Sequence, residues 1–255
     1  MPISSTARTN AQSAKWLLVY FFDRWSIIFW DRNGASLLYF ANTKDKPMKI
    51  TWFLLVMACT PPIDGQDKKV GGPCEGCEAI YESPVPFEKL KAVTQLPDAT
   101  WAGKKPLGIN GTVYKADGKT LAPGVIVYIY HTDETGHYTA KADAKGWEKR
   151  HGSIRGWMRT DEKGFYKFVT LRPAPYPRRT DPAHIHVTIK EPGLTDYYID
   201  EFVFDDDPLL TADKRQNLAN RGGSGILKLV DVGNMYKAER NIYLGRNIPN
   251  YPANQ

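Results

Sequence analysis

Between residues 105 and 210 the chain is a succession of short β-rich runs punctuated by turn signals, and no other pattern constrains the fold as strongly. Gly108 to Lys115 and Val125 to His131 are linked through Asp117-Gly118, a dipeptide suited to a tight reversal. Further strands are expected over Gly164 to Leu171, from His184 onward, and over Tyr198 to Phe204. Strands this short, with little helix before residue 208, predict a mainly β domain, an antiparallel β-sandwich spanning residues 105–255. The composition of Pro208 to Asn220 predicts one short C-terminal helix, with Asp207 as its N-cap and Gly222-Gly223 beyond its end. Asp133 to Ser153 reads as a polar surface loop. Residues 60–104, rich in Pro, Gly, Asp and Lys, read as a tether and an N-terminal arm, anchored by Tyr81, Phe87 and Trp101.

Within that domain one stretch carries chemistry: Tyr176-Pro177-Arg178-Arg179-Thr180-Asp181-Pro182-Ala183-His184-Ile185-His186. Side chains at i and i+2 of a strand share a face, so His184 and His186 present two imidazoles to one point while Ile185 faces away. Pro177 and Pro182 stiffen the approach, which can hold Tyr176 near the same point. Val187-Thr188-Ile189 continue the period-2 pattern of a strand with one buried face. His-x-His alone is a weak motif, but a buried imidazole pair without a partner would be costly.

The run from Arg155-Gly156 through Thr160-Asp161-Glu162-Lys163-Gly164-Phe165-Tyr166-Lys167-Phe168, then Pro175-Tyr176-Pro177 and Pro182-Ala183-His184-Ile185-His186, resembles the intradiol ring-cleavage dioxygenases. These are non-haem ferric enzymes of the protocatechuate 3,4-dioxygenase and catechol 1,2-dioxygenase type. The resemblance implies Fe(III) held by Tyr176, His184, His186 and an upstream tyrosine that falls most naturally on Tyr138. It implies a small aromatic ortho-diol and dioxygen as substrates, the ring opening between its hydroxyls to a muconate-type diacid. It also implies a catalytic part for Tyr138, as the tyrosinate that substrate displaces. Two phenolates and two neutral imidazoles form a hard, anionic ligand set that suits a trivalent cation better than zinc. No cysteine follows Cys77, so neither a zinc ribbon nor an iron–sulfur cluster can be built in this domain.

Two positions depart from the family pattern. Ring-cleaving members usually carry an arginine three residues before the first histidine; here that position is Asp181. A glutamine expected ahead of the Asp-Pro-Leu segment aligns with Glu201. Both acids are therefore candidate catalytic residues, although Asp181 also suits a turn before Pro182 and Glu201 a solvent-facing strand position. Arg155, Arg178 and Arg179 are the cations available to compensate. An anionic pocket disfavours a carboxylated ring and points to a neutral or bulky catechol. The second reading is a cell-surface β-sandwich binding module that keeps the fold, and even the metal, without turnover.

The 255 residues are 42% hydrophobic and 24% charged, ordinary for a globular chain. The formal charge of +6 does not signal nucleic acid, because residues 1–58 hold seven Lys/Arg and three Asp/Glu, leaving 27 basic and 25 acidic residues for the rest. In the leader, Asp23 and Arg24 split two apolar runs, so neither nears the ~20 residues of a membrane-spanning helix. Met48 to Cys59 resembles a bacterial lipoprotein signal, with Val56-Met57-Ala58-Cys59 as its lipobox. The expectation is that translation starts at Met48, that residues 1–47 are an upstream misannotation, and that 48–59 is a signal ending at a lipidated Cys59. Export to the bacterial cell envelope would follow, with the lipid at Cys59 as the only membrane contact. Cys74 and Cys77 remain as a Cys-x-x-Cys pair, read as a small disulfide in an exported protein.

Overall fold

The computed structural model describes residues 69–96 and 103–253, together with three strands nearer the N-terminus. The chain divides into two compact units, Met1–Ile63 and Asp64–Gln255. In the first, β1 (Lys15–Phe21), β2 (Arg24–Asp31) and β3 (Gly34–Tyr39) form an antiparallel meander. Arg24 opens β2, paired with Phe21 at the end of β1. No helix among the described residues is long and apolar enough to cross a membrane. The signal expected over 48–59, the start at Met48, and Trp101 all lie outside the described residues.

The second unit contains β4 (Val93–Gln95), β5 (Leu107–Tyr114), β6 (Ile126–His131), β7 (Arg155–Arg159), β8 (Phe165–Thr170) and β9 (His184–Lys190). These are followed by β10 (Tyr197–Tyr198), β11 (Phe202–Phe204), β12 (Ile226–Leu227), β13 (Val230–Asp231), β14 (Tyr236–Glu239) and β15 (Ile242–Tyr243). One sheet runs β12-β11-β9-β6-β7, with β10 on β9; the other runs β13-β14-β5-β8-β4, with β15 on β5. The centres of both sheets are antiparallel, as expected. Outside those centres β12, β14, β15 and β4 join in parallel, while β7, β10 and β13 join antiparallel, so the sheets of the sandwich are mixed. Isolated bridging strands at sheet margins leave no alternation from which their direction could be read.

Burial explains the layering. On β6, Val127 and Ile129 face the main core with Ile185, Val187 and Ile189 of β9, while Ile126 and Tyr128 face the other way into a satellite cluster. Ala79 and Ile80 of the N-terminal arm cover that outer face, packed beside Trp157 with Phe87 and Leu90 against them. The arm is pinned by Trp157 Nε1, which donates to the Ile80 carbonyl at 2.8 Å, and by Tyr81 Oη, which donates to Asp196 at 2.9 Å. Cys74 and Cys77 form a disulfide at its start.

The Asp133–Ser153 segment is not all loop, because it contains the one-turn α1 (Glu148–His151). The C-terminal helix is α2 (Ala212–Gln216), shorter than the expected run and capped by Thr211, not Asp207. Asp207 is drawn elsewhere. It is buried, and its carboxylate accepts from the Ala183 and Leu209 amides at 2.7 and 2.8 Å. An acid that satisfies the backbone just ahead of His184 cannot also cap a helix four residues on.

Candidate metal centre

His184 and His186 project from the outer face of β9, between the loop that carries Tyr138 and the loop that carries Tyr176. Backbone geometry brings those loops together. Asp133 organises the first: Oδ1 accepts from the Thr135 and His137 amides at 2.8 and 3.1 Å, and Oδ2 from Thr139 Oγ1 at 2.6 Å. Gly136 has φ +80°, and a Cβ there would overlap the Pro175 carbonyl oxygen, so only glycine lets the two loops touch. Thr132 Oγ1 and the Ala174 amide complete the join with the Ala174 and Asp133 carbonyls at 2.7 and 3.1 Å.

Four side chains converge. Tyr138 Oη lies 2.5 Å from Tyr176 Oη and 2.8 Å from His186 Nε2. Tyr176 Oη lies 3.1 Å from His184 Nε2 and 3.3 Å from His186 Nε2, and the two Nε2 atoms are 3.2 Å apart. The outer nitrogens fix the tautomers. His184 Nδ1 faces the Pro182 carbonyl at 2.7 Å and His186 Nδ1 faces a Glu201 carboxylate oxygen at 3.2 Å. Both partners only accept, so both Nδ1 atoms carry the proton and both Nε2 atoms present lone pairs. Two phenol protons can serve the two nitrogens, but they leave the oxygens facing each other at 2.5 Å and the nitrogens at 3.2 Å. A cation at their focus would engage all four atoms at once.

Burial pushes the Tyr138 phenol well above its ordinary value, helped by its contact with Tyr176, and raises Tyr176 as well. Burial holds His184 below the ordinary imidazole range, as does neighbouring His186. The cluster without a cation is therefore neutral at the donors, and binding a hard metal must release the phenol protons. Glu201 goes the other way, its carboxyl held low first by the hydrogen bond to His186.

The structure places both departing acids near this cluster in different ways. Glu201 lies directly behind His186. Asp181 is turned toward Arg179, whose Nε is 3.2 Å from Oδ2 in an exposed pair, although its charge still raises the phenol of Tyr176. Among the candidate cations, Arg179 sits over the outer face of the Tyr176 ring at 5.9 Å, while Arg155 is committed to Glu82 at 2.7 Å and Glu148 at 3.8 Å. Arg178 adopts the left-handed region at φ 61°.

Three features escaped the sequence reading. Tyr130 pairs with His186 across β6 and β9 and stacks on its ring, centroids 4.5 Å apart and planes at 18°. His151 stacks on the far side of Tyr130 at 3.6 Å, its Nδ1 receiving the Tyr128 hydroxyl at 2.9 Å. A cavity of about 210 Å³ opens against Tyr130, His186 and Glu201, and its opposite wall is Cys74, Glu75 and Tyr198. The i, i+2 pair Tyr128 and Tyr130 was the available signal, because two phenols on one strand face are unlike a packed core.

Fold and donor set together define a class: a β-sandwich that gathers two phenols and two imidazoles outside one sheet. A family model described as "Dioxygenase" matches residues 86–223, more than half of the chain, and the chain belongs to that family, the intradiol dioxygenases. It is 31% identical over 101 residues to catechol 1,2-dioxygenase of Candida albicans, covering 33% of this chain and 32% of the relative. It is likewise 31% identical over 111 residues to 6-chlorohydroxyquinol 1,2-dioxygenase of Cupriavidus pinatubonensis, covering 37% and 38%. The chain thus spans about a third of the length of these curated relatives. Among solved structures, the dioxygenase domain of a carbohydrate-binding fusion from Streptomyces sp. SirexAA-E superposes with a TM-score of 0.45. That likeness is at 21% identity and covers 63% of this chain and 94% of the other.

Proposed function

We propose that this protein is a non-haem Fe(III)-dependent dioxygenase that opens a catechol-type ring between its hydroxyls to give a muconate-type diacid. The observation that carries the reading is the convergence of two lone-pair Nε2 atoms 3.2 Å apart on two phenol oxygens 2.5 Å apart. Phenolates and imidazoles with no thiolate make a donor set for a hard, trivalent ion. Tyr138, Tyr176, His184 and His186 would hold it. When bound, Fe(III) supplies a Lewis acid that draws electron density from an ortho-diol and exposes its ring to dioxygen.

The chain's own residues do the rest. The Pro182 carbonyl and Glu201 hold the two imidazoles in the tautomer that offers Nε2. Either phenolate, of Tyr138 or Tyr176, would be a base for a catechol proton. Tyr138, the expected candidate for that step, and Tyr176 are both half-buried. Both ride irregular segments outside any strand, so either is placed to take that proton. Asp181 and Glu201 make the surroundings of the donors anionic, so a neutral or bulky catechol without a carboxylate is the favoured substrate.

Iron-loaded protein should be coloured by tyrosinate-to-iron charge transfer and should consume dioxygen with at least one member of a panel of catechols. Colourless protein that takes up stoichiometric zinc in place of iron overturns the ligand set. Coloured protein that binds catechols without consuming dioxygen would establish the binding-module alternative. We further propose lipid attachment at Cys59 after export, supported by the Val56-Met57-Ala58-Cys59 sequence. An N-terminus upstream of Cys59, or no acyl mass on it, in mass spectra of the exported protein ends that idea.

A further inference from the structure

We infer that Glu201 is a positioning residue that acts on the metal through His186, giving the two histidine ligands unequal donor strength. This rests on the proposed ferric centre, and it concerns a contact that the ligand set alone does not require. His184 and His186 differ in one respect. Nδ1–H of His184 donates to a neutral backbone carbonyl, that of Pro182, at 2.7 Å, whereas Nδ1–H of His186 faces an anionic carboxylate at 3.2 Å. A carboxylate behind an imidazole draws its proton outward and makes the opposite nitrogen a stronger donor, which a peptide carbonyl does far less.

Glu201 lies within 4.8 Å of both histidines and could be taken for a metal ligand itself. The geometry rejects that. One ion cannot engage both nitrogens of one ring, and the phenols together with His184 Nε2 all lie on the Nε2 side of His186. Glu201 occupies the other side.

The contact is built from several directions. Tyr130 stacks on His186 and limits rotation of its ring, while the edge of His184 meets it at 88°. The Glu201 backbone is fixed by Gly225, where a Cβ would overlap the Glu201 carbonyl oxygen, and by the Val203 amide, which donates to the Gly225 carbonyl at 3.0 Å. Half of the Glu201 side chain remains open, toward the cavity it helps to line. The fixed negative charge lowers the effective charge of the ferric centre and, with no arginine at position 181, adds to the repulsion of an incoming dianion.

The test compares Glu201→Gln with Glu201→Ala in the iron-loaded full chain. Glutamine keeps an acceptor for Nδ1–H and removes the charge; alanine removes both. Without the carboxylate the ferric ion is more electron-poor, so in both variants the charge-transfer band should move to longer wavelength and the Fe(III)/Fe(II) midpoint potential should rise. Iron affinity should fall about 10–100-fold in the alanine variant and less in the glutamine variant, which still orients the ring. If the alanine variant does not fold, the near-isosteric glutamine variant carries the spectroscopic and potential measurements alone. Band, potential and affinity all unchanged from wild type would overturn the inference while leaving the ferric centre standing. Wild-type protein that is colourless and iron-free would remove both.

Discussion

The molecule contains two buried clusters made from the same kinds of side chain, and they are closed to different degrees. At one end of β9, Glu191 accepts the Tyr197 hydroxyl at 2.5 Å and the Tyr251 hydroxyl at 2.8 Å. Two donors meet one acceptor group, and the result ties the C-terminal segment to the sandwich. At the other end of the same strand, the phenol protons of Tyr138 and Tyr176 can serve His186 and His184, but they leave an oxygen–oxygen contact at 2.5 Å and a nitrogen–nitrogen contact at 3.2 Å with no proton between them. The first cluster is complete as it stands and reads as structure; the second is complete only with a cation. Tyrosine burial alone therefore does not mark a site. What marks it is whether close contacts are left with no proton between them.

The largest expected effect separates the two clusters outright. Tyr176→Phe or His184→Ala should bleach the iron-loaded protein and abolish stoichiometric iron, whereas Tyr251→Phe should leave colour and iron content intact. Iron loss from Tyr251→Phe would mean that the centre depends on a part of the molecule the geometry does not connect to it. Ligand variants should also lose the rise in melting temperature that iron gives the wild type, because a ligand that binds only the folded state stabilises it.

A second contrast is stability without colour. Glu191→Ala leaves two buried phenol donors unpaired, at about 1–3 kcal/mol each, and should lower stability in urea by about 3 kcal/mol with the visible spectrum unchanged. A loss under 1 kcal/mol would show that water replaces the carboxylate and that the cluster is not closed.

Stability against pH sharpens the comparison, because the two regions should respond with opposite sign. Burial depresses the His151 imidazole to about 4, so its contribution is fully present above the unfolded value near 6.5 and is lost as pH falls toward 4. The loss approaches about 3 kcal/mol at most, taking ~1.36 kcal/mol per pH unit. His151→Phe should flatten that acid slope while retaining a ring against Tyr130. Glu191 is raised by burial, so its contribution is fully present below about 4.5 and is lost as pH rises; Glu191→Gln should flatten that limb. Chemical denaturation between pH 4 and 7 reads both, and identical slopes in either variant and the wild type would show that the group does not titrate on unfolding.

The smallest effect concerns Asp181. Its charge reaches Tyr176 and His184, but its carboxylate is turned to Arg179. Asp181→Arg should strengthen binding of carboxylated catechols by about tenfold, or ~1.4 kcal/mol, since a charge pair at such a partly exposed position is strongly screened. Equal binding of neutral and carboxylated catechols by wild type and variant would make Asp181 a turn residue only.

Much of the sandwich was legible because its central strands follow a period of two. The runs expected from Gly108, Val125 and Gly164 coincide with β5, β6 and β8 to within a residue or two. The parallel edge strands were not legible, being two to four residues long. The cap at Thr211 was missed because Asp207 and Thr211 are equally good local caps, and only the burial of Asp207 beneath the Ala183 amide decides between them.

The sequence by itself determined that His184 and His186 share one face, since alternation along a strand is a local property of the chain. It determined too that stiff Pro-flanked backbone precedes them, and that no residue after Cys77 could supply a thiolate to a metal. Only the tertiary structure decided that Tyr138 meets Tyr176 across the Gly136–Pro175 contact, that Tyr130 stacks on His186, and that Glu201 stands behind His186 while Asp181 turns to Arg179. Those pairs are 10 to 60 residues apart or depend on where a flexible carboxylate points. Local periodicity says which face a side chain takes; only packing and hydrogen-bond balance say what it meets there.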